Sequence, residues 1–180
     1  MRLVILASGT GTLAQAIIDS DFEILSVVSE NPQAEVLQRA AKSKIPTKII
    51  EIKGSRTEWD QELFDYVQSL KPDLVVCAGF MKILDAKFVD HFKVINSHPA
   101  LLPKFPGAHA VEDALKAGEQ ITGCTIHWVD AGVDTGVIIA QEKVSIEPGD
   151  DAKVLHERIK IVERKLIVKT IRELQDGTLR

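Results

Sequence analysis

The chain has 180 residues, of which 45% are hydrophobic and 27% charged, and a formal net charge of -4. These are ordinary globular values for a length that one buried core can hold together. No apolar run approaches the ~20 residues that cross a bilayer, and no basic block is present to displace counterions from nucleic-acid phosphates, so membrane and nucleic-acid partners are set aside.

The opening MRLVILASGTG is too short and too soon interrupted for a signal sequence and reads as a first strand, residues 2–7, buried on both faces. A helix is predicted from Thr12 to Asp19, a second strand over 22–29, a helix over 33–43 and a short strand over 47–50. Thr57 is the expected N-cap of the next helix, which shows Leu63, Phe64 and Val67 on one side and stops at Lys71-Pro72. Strands are expected at 73–79 and 94–97, with a short helix near 85–91 between them. Beyond residue 120, TGCTIHWV at 122–129 and GVIIAQEKVSI at 136–146 are close enough in the chain to pair antiparallel or to flank a loop. A helix over 151–175 with Leu155, Ile159, Val162, Leu166 and Ile167 as its buried stripe ends the domain. Cys77 and Cys124 both lie in apolar runs and read as reduced core thiols of a cytoplasmic protein. Strands alternating with helices imply an α/β fold, Rossmann-like, in which a mostly parallel twisted sheet of about seven strands carries helices on both faces, with an antiparallel element after residue 120.

Two segments carry chemistry. The first is Ser8-Gly9-Thr10-Gly11-Thr12, between strand and helix, where glycines let backbone amides approach an anion. The same residues admit a second reading, since Gly9, Gly11 and Ala14 satisfy G-x-G-x-x-A and Glu30 follows the second strand where a dinucleotide's ribose would be held. A third reading is a tight turn without a ligand. The second segment is VINSHPALLPKFPG at 94–107. It sets Asn96 and His98 two apart at a strand end, so both point to one face, and Pro99, Pro103 and Pro106 stiffen the loop that follows. Of the other histidines, His127 alternates within a strand and reads as structural, His91 and His156 as surface residues, and His109 as a residue that either lines the site or does not. No HExxH or Cys-His set is present, so no metal is expected.

Asn-x-His-Pro followed by Leu-Leu-Pro resembles the 10-formyltetrahydrofolate-dependent formyltransferases. The resemblance spans nearly the whole chain, through AGFMKIL at 78–84, NSHPALLPKFPGAH at 96–109, TGCTIHWVDAGVDTGVIIAQ at 122–141 and HERIKIVER at 156–164. It implies one formyltransferase domain over 1–180, with 1–95 as the phosphate and acceptor half and 96–180 as the catalytic and folate-binding half. It also implies 10-formyltetrahydrofolate as the formyl-donor co-substrate and the amine of glycinamide ribonucleotide as acceptor, in purine synthesis, by a monomer or homodimer. The family's catalytic Asn, His and Asp fall on Asn96, His98 and Asp134.

Those residue types suit the reaction. An amine attacking a formyl carbon gives a tetrahedral intermediate with an oxyanion to be stabilised and an ammonium to be deprotonated. A carboxamide N–H donates to the first, an imidazole donates or shuttles a proton, and a carboxylate orients the ring and anchors a water. The resemblance further places the acceptor's phosphate on the backbone amides of Gly11, Thr12 and Leu13, where Leu13 replaces the family's usual Asn and supplies only its N–H. It assigns Lys160 to the phosphate and Glu163 to the ribose hydroxyls. The folate contacts it implies are Met81, Lys82, Ile83, Leu84 and Val89, with Phe80 nearby, and Val129 and Asp130 of the 129–134 loop. A tRNA-directed formyltransferase would need a further domain and a basic face, and a formyltetrahydrofolate deformylase would lack the phosphate cradle. A dinucleotide-binding module, the alternative from another class, leaves 96–109 and 130–136 unexplained.

Overall fold

A computed structural model describes residues 1–179. Among them, seven strands and six helices run β1 (Arg2–Leu6), α1 (Thr12–Ile18), β2 (Glu23–Ser29), α2 (Glu35–Lys42), β3 (Thr47–Ile49), α3 (Arg56–Leu70), β4 (Leu74–Cys77), α4 (Ala86–His91), β5 (Val94–His98), α5 (Ala110–Lys116), β6 (Ile121–Trp128), β7 (Ile138–Ser145) and α6 (Ala152–Gln175). The strands form one mixed sheet in the order β3-β2-β1-β4-β5-β6-β7, an α/β arrangement of Rossmann-like type. The chain divides into two compact units at the Ile95/Asn96 boundary, within β5. No helix among the described residues is long and apolar enough to cross a membrane.

In the first unit β1 pairs in parallel with β2 and β4, and β2 with β3. Leu3 to Leu6 are fully buried, which explains their unbroken apolar run: a strand covered on both faces has no polar side. The helix α3 starts earlier than Thr57, because Ser55 and not Thr57 is its cap. The Ser55 hydroxyl accepts from the Glu58 amide while the Glu58 carboxylate returns to the Ser55 amide, a reciprocal capping box. Trp59, Leu63, Phe64 and Val67 fill the face beneath it, and the Trp59 indole donates to the Ile50 carbonyl at 2.7 Å. Gly11 sits at φ 71, and a Cβ there would lie 2.5 Å from the Val36 side chain, so only glycine lets α2 close on this turn.

In the second unit β6 and β7 pair antiparallel from Ile121↔Ser145 to His127↔Ile138. The helix α5 (Ala110–Lys116) leaves no signature in the sequence: at seven residues, directly after a proline and glycine loop, it is too short to show a helical period. The last helix, α6, is capped by Asp151, whose side chain accepts from the Val154 amide. Its stripe differs at one position from the expectation: Leu155, Ile159, Leu166 and Ile167 are buried, Val162 is only half-buried, and Glu163 is buried. Cys77 and Cys124 are free and buried, and burial pushes each thiol up to about 12.

Candidate active site

The second unit brings together Asn96, His98 and Asp134 from two separate stretches of chain. Asn96 and His98 sit at the end of β5. Asp134 lies in the 130–136 loop between β6 and β7 and adopts φ 54, a left-handed backbone that aspartate tolerates better than most side chains. His98 Nδ1 is 3.2 Å from Asp134 Oδ2, and the Asn96 amide nitrogen is 3.5 Å from Asp134 Oδ1.

The surrounding loops hold this geometry. The proline-rich segment after β5, which contains a cis Leu102–Pro103 peptide bond, returns two backbone groups to the site. The Gly107 amide donates to Asp134 Oδ2 at 2.8 Å, and the Phe105 carbonyl accepts from His98 Nε2 at 2.7 Å. Thr125, fully buried on β6, fixes the start of the same loop. Its hydroxyl donates to the Ala100 carbonyl at 2.6 Å and accepts from the Leu102 amide at 3.1 Å. The Gln141 amide on β7 donates to the Leu102 carbonyl and to the Thr125 hydroxyl, each at 2.9 Å. On the other side, the 130–136 loop is drawn in by Asp130, whose Oδ1 accepts from the Gly132 amide and the Thr135 hydroxyl. Gly136 packs so closely on β6 that a Cβ would lie 1.7 Å from the Trp128 carbonyl oxygen.

His127, which its place in an alternating strand marks as structural, is buried and packs against the trio: its Nε2 lies 3.2 Å from the Asn96 amide nitrogen and 3.4 Å from Asp134 Oδ1. Its Nδ1 donates to the Trp128 carbonyl at 2.8 Å. That contact fixes the tautomer of the neutral ring, leaving Nε2 to accept from Asn96; when Nε2 carries a hydrogen, Asp134 Oδ1 receives it. The signal available in sequence was the position of His127 seven residues before Asp134 across a turn, which a hairpin places alongside.

Electrostatics follow from these contacts. Burial would raise the Asp134 carboxyl, but contacts from His127, the Gly107 amide and the charge of His98 outweigh it and hold the group down at about 2. Burial lowers His98 below the ordinary imidazole value, against the opposing pull of Asp134 and the Phe105 carbonyl. Both ring nitrogens of His98 face acceptors, so the neutral ring leaves one acceptor without a hydrogen and a proton gained during reaction satisfies both.

Asn96 is half-buried and His98 buried. Lys160 pairs with Glu157 at 2.7 Å, and Glu163, 6% exposed, accepts from the Ser97 hydroxyl at 2.7 Å. Val129 is half-buried and Asp130 exposed. His109 is an exposed residue at the start of α5, His91 is exposed against Phe64 and Phe92, and His156 is half-buried.

In the first unit, Gly11, Thr12 and Leu13 open α1, with Gly11 buried and the other two half-buried. Met81 and Ile83 stand 66% and 59% exposed on the loop before α4, an unusual display of apolar surface. Leu84 is buried, Val89 is half-buried, and Phe80 stacks on Trp59. Lys82 lies 4.0 Å from Glu30. The Ser8 hydroxyl accepts from the Met81 amide at 2.8 Å, so the loop is tied to the glycine turn.

In the second unit a carboxamide, an imidazole and a carboxylate converge at one strand end, the residue types that group-transfer chemistry uses. The chain belongs to the formyl transferase family, whose model matches residues 1–171. It is 44% identical to phosphoribosylglycinamide formyltransferase of Mycobacterium tuberculosis, over 96% of this chain and 84% of that protein. It is 39% identical to the human trifunctional purine biosynthetic protein adenosine-3, over 99% of this chain and 19% of that much longer protein. Its fold matches glycinamide ribonucleotide transformylase 1 from Symbiobacterium toebii with a TM-score of 0.95 at 35% identity, over 98% of this chain and 88% of that one.

Proposed function

We propose that this chain transfers the formyl group of 10-formyltetrahydrofolate to the amine of glycinamide ribonucleotide, in purine biosynthesis. The observation that carries this reading is the meeting of Asn96 and His98 with Asp134, in a chain whose family and relatives perform formyl transfer. The acceptor amine attacks the formyl carbon, and the bond from that carbon to the folate nitrogen breaks after the amine has lost a proton and the folate nitrogen has gained one. No covalent bond to the protein forms.

Each residue has a role that its contacts suit. The Asn96 amide holds His127 with one hydrogen, and its long contact to Asp134 leaves the second available for the oxyanion. His98 carries the proton, since its two acceptors favour the ring's charged form when that proton arrives, and that positive charge stabilises the same oxygen through space. Asp134 keeps its charge, orients His98 and anchors the water that accepts the amine's proton. The acceptor's phosphate is assigned to the backbone amides of Gly11, Thr12 and Leu13 with Lys160, and its ribose hydroxyls to Glu163. The folate is assigned to Met81, Lys82, Ile83, Leu84 and Val89 and to Val129 and Asp130, whose mixture of exposed apolar side chains and backbone groups suits a flat ring with a polar rim. A monomer or a homodimer is compatible with this reading.

The test is formylation of glycinamide ribonucleotide by the purified protein with 10-formyltetrahydrofolate, followed by the release of tetrahydrofolate. Turnover that depends on the acceptor is expected, and His98→Ala should retain the fold and lose orders of magnitude. Hydrolysis of the folate at the same rate without acceptor would replace transfer by deformylation.

A further inference from the structure

Strand geometry sets Ser97 apart from its neighbours. Asn96 and His98 point to one face of β5, so Ser97, between them, points to the other. There its hydroxyl donates to Glu163 Oε1 at 2.7 Å. Both partners are buried, at 8% and 6% exposure. A carboxylate is among the side chains least often buried, and this one occupies a position on α6 where the apolar stripe calls for an aliphatic residue. Burial raises its carboxyl above the ordinary range, while the Ser97 hydroxyl and the charges of Lys160 and Arg164 oppose that rise. Ser97 is thus the one hydrogen-bond donor that the described structure gives to Glu163, and it belongs to the residue flanked by the two β5 members of the catalytic trio.

We propose that Ser97 is a positioning residue for acceptor binding: its hydroxyl fixes the orientation and charge of Glu163, so that the carboxylate's other oxygen is presented to a cis-diol, the ribose of the acceptor. This deepens the reading given above and rests on it. A carboxylate with one oxygen held has a defined plane and a single free acceptor edge. Without the donor, the buried group loses that constraint and gains a stronger preference for its protonated form, which accepts more weakly. The bond links Glu163 to β5 through the backbone of Ser97 and contributes no group to the reacting carbon. Its effect therefore belongs to the binding of the acceptor and not to the chemical step.

The discriminating pair is Ser97→Thr and Ser97→Val, which share volume and branching and differ by the hydroxyl alone. Kinetics with glycinamide ribonucleotide and 10-formyltetrahydrofolate should give Ser97→Val a KM for the acceptor about tenfold above that of Ser97→Thr, the size of effect a charge-assisted hydrogen bond carries. The kcat and the KM for folate should agree within about twofold between the two, in the range that uniform binding loss predicts. In a Glu163→Gln background the Val and Thr forms should become equal, because the partner through which Ser97 acts has gone. Equal acceptor KM values for Val and Thr in the Glu163 background, or a difference confined to kcat, would overturn the proposal. Should Ser97→Val fail to fold while Ser97→Thr folds and is active, the stabilisation of each soluble form by added acceptor in a thermal melt, with Ser97→Ala as the hydroxyl-free form, gives the same comparison; equal shifts would overturn it. Absence of acceptor-dependent turnover in the unaltered protein would instead remove the reading under Proposed function.

Discussion

Asp134 meets His98 through Oδ2 at 3.2 Å, and that same oxygen receives the Gly107 amide at 2.8 Å. The carboxylate therefore orients a ring from β5 and is itself oriented by the loop that follows β5. Asp134→Asn retains an acceptor for Gly107 but removes the charge. Turnover should fall by about 10² to 10⁴, the range for loss of a positioned acid-base partner, with the circular dichroism spectrum unchanged. A loss smaller than about tenfold would remove Asp134 from the chemistry.

The same substitution has a spectroscopic consequence. Asp134 raises the His98 value against the lowering effect of burial. In Asp134→Asn the His98 ring should titrate at a lower pH than in the unaltered protein, as read from its carbon and nitrogen chemical shifts. An unchanged or raised titration would mean that the two side chains do not share their charge.

Stability should also depend on pH through Asp134. Its carboxyl is held at about 2 in the folded chain, against an ordinary value of 3.8. A depressed carboxyl stabilises the fold above its unfolded value, and that contribution disappears as pH falls from about 4 to about 2. The amount is about 2 kcal/mol. Urea unfolding of the unaltered protein and of Asp134→Asn should show curves that differ near pH 5 and approach each other near pH 2. Parallel curves over the whole window would contradict the depressed value.

Thr125 satisfies three backbone and side-chain partners at once: it donates to Ala100 and accepts from Leu102 and Gln141. Thr125→Val keeps the shape and leaves the Ala100 carbonyl and the Leu102 amide buried without that partner. A loss of about 1 to 3 kcal/mol in denaturant stability is expected, together with reduced kcat, because the loop that Thr125 anchors supplies Phe105 and Gly107 to His98 and Asp134. Full kcat in a destabilised variant would show that the loop keeps its place without Thr125.

Gly136→Ala tests the loop from its far side. A Cβ there meets the Trp128 carbonyl oxygen at 1.7 Å, a backbone atom at the end of β6 that cannot rotate away. The loop must shift, carrying Asp134 with it, and kcat should fall by at least about tenfold, since small misplacements of a reacting group carry large rate penalties. Turnover equal to that of the unaltered protein would show that Asp134 does not depend on this close approach.

Much of this arrangement is legible in the sequence. Gly-Thr-Gly after an apolar run marked the first turn, and Asn96 with His98 announced themselves by a two-residue spacing followed by three prolines. Residues whose meaning lies in the tertiary structure were not legible. His127 has the periodicity of any buried strand residue, and its role arises only because the hairpin returns Asp134 beside it. Thr125 looks like a strand former, and its bonds to Ala100 and Leu102 span 25 and 23 residues. Thr57 is the cap that the sequence suggests, whereas the reciprocal bonds of Ser55 with Glu58, the Ser55 amide donating to the Glu58 carboxylate and the Glu58 amide to the Ser55 hydroxyl, make Ser55 the cap. Glu163 carries a role in the sequence only through the family resemblance, whereas its burial against Ser97 decides its environment.

The two thiols give each half of the chain its own clock. Cys77 lies in the first unit and Cys124 in the second, both sealed from reagent and both weakly acidic. A maleimide reaches either sulfur only when the surrounding strands part, and the thiolate it needs forms readily only after that opening. Labelling under native conditions, resolved by peptide mass, therefore times the opening of the two halves separately, with no engineered probe.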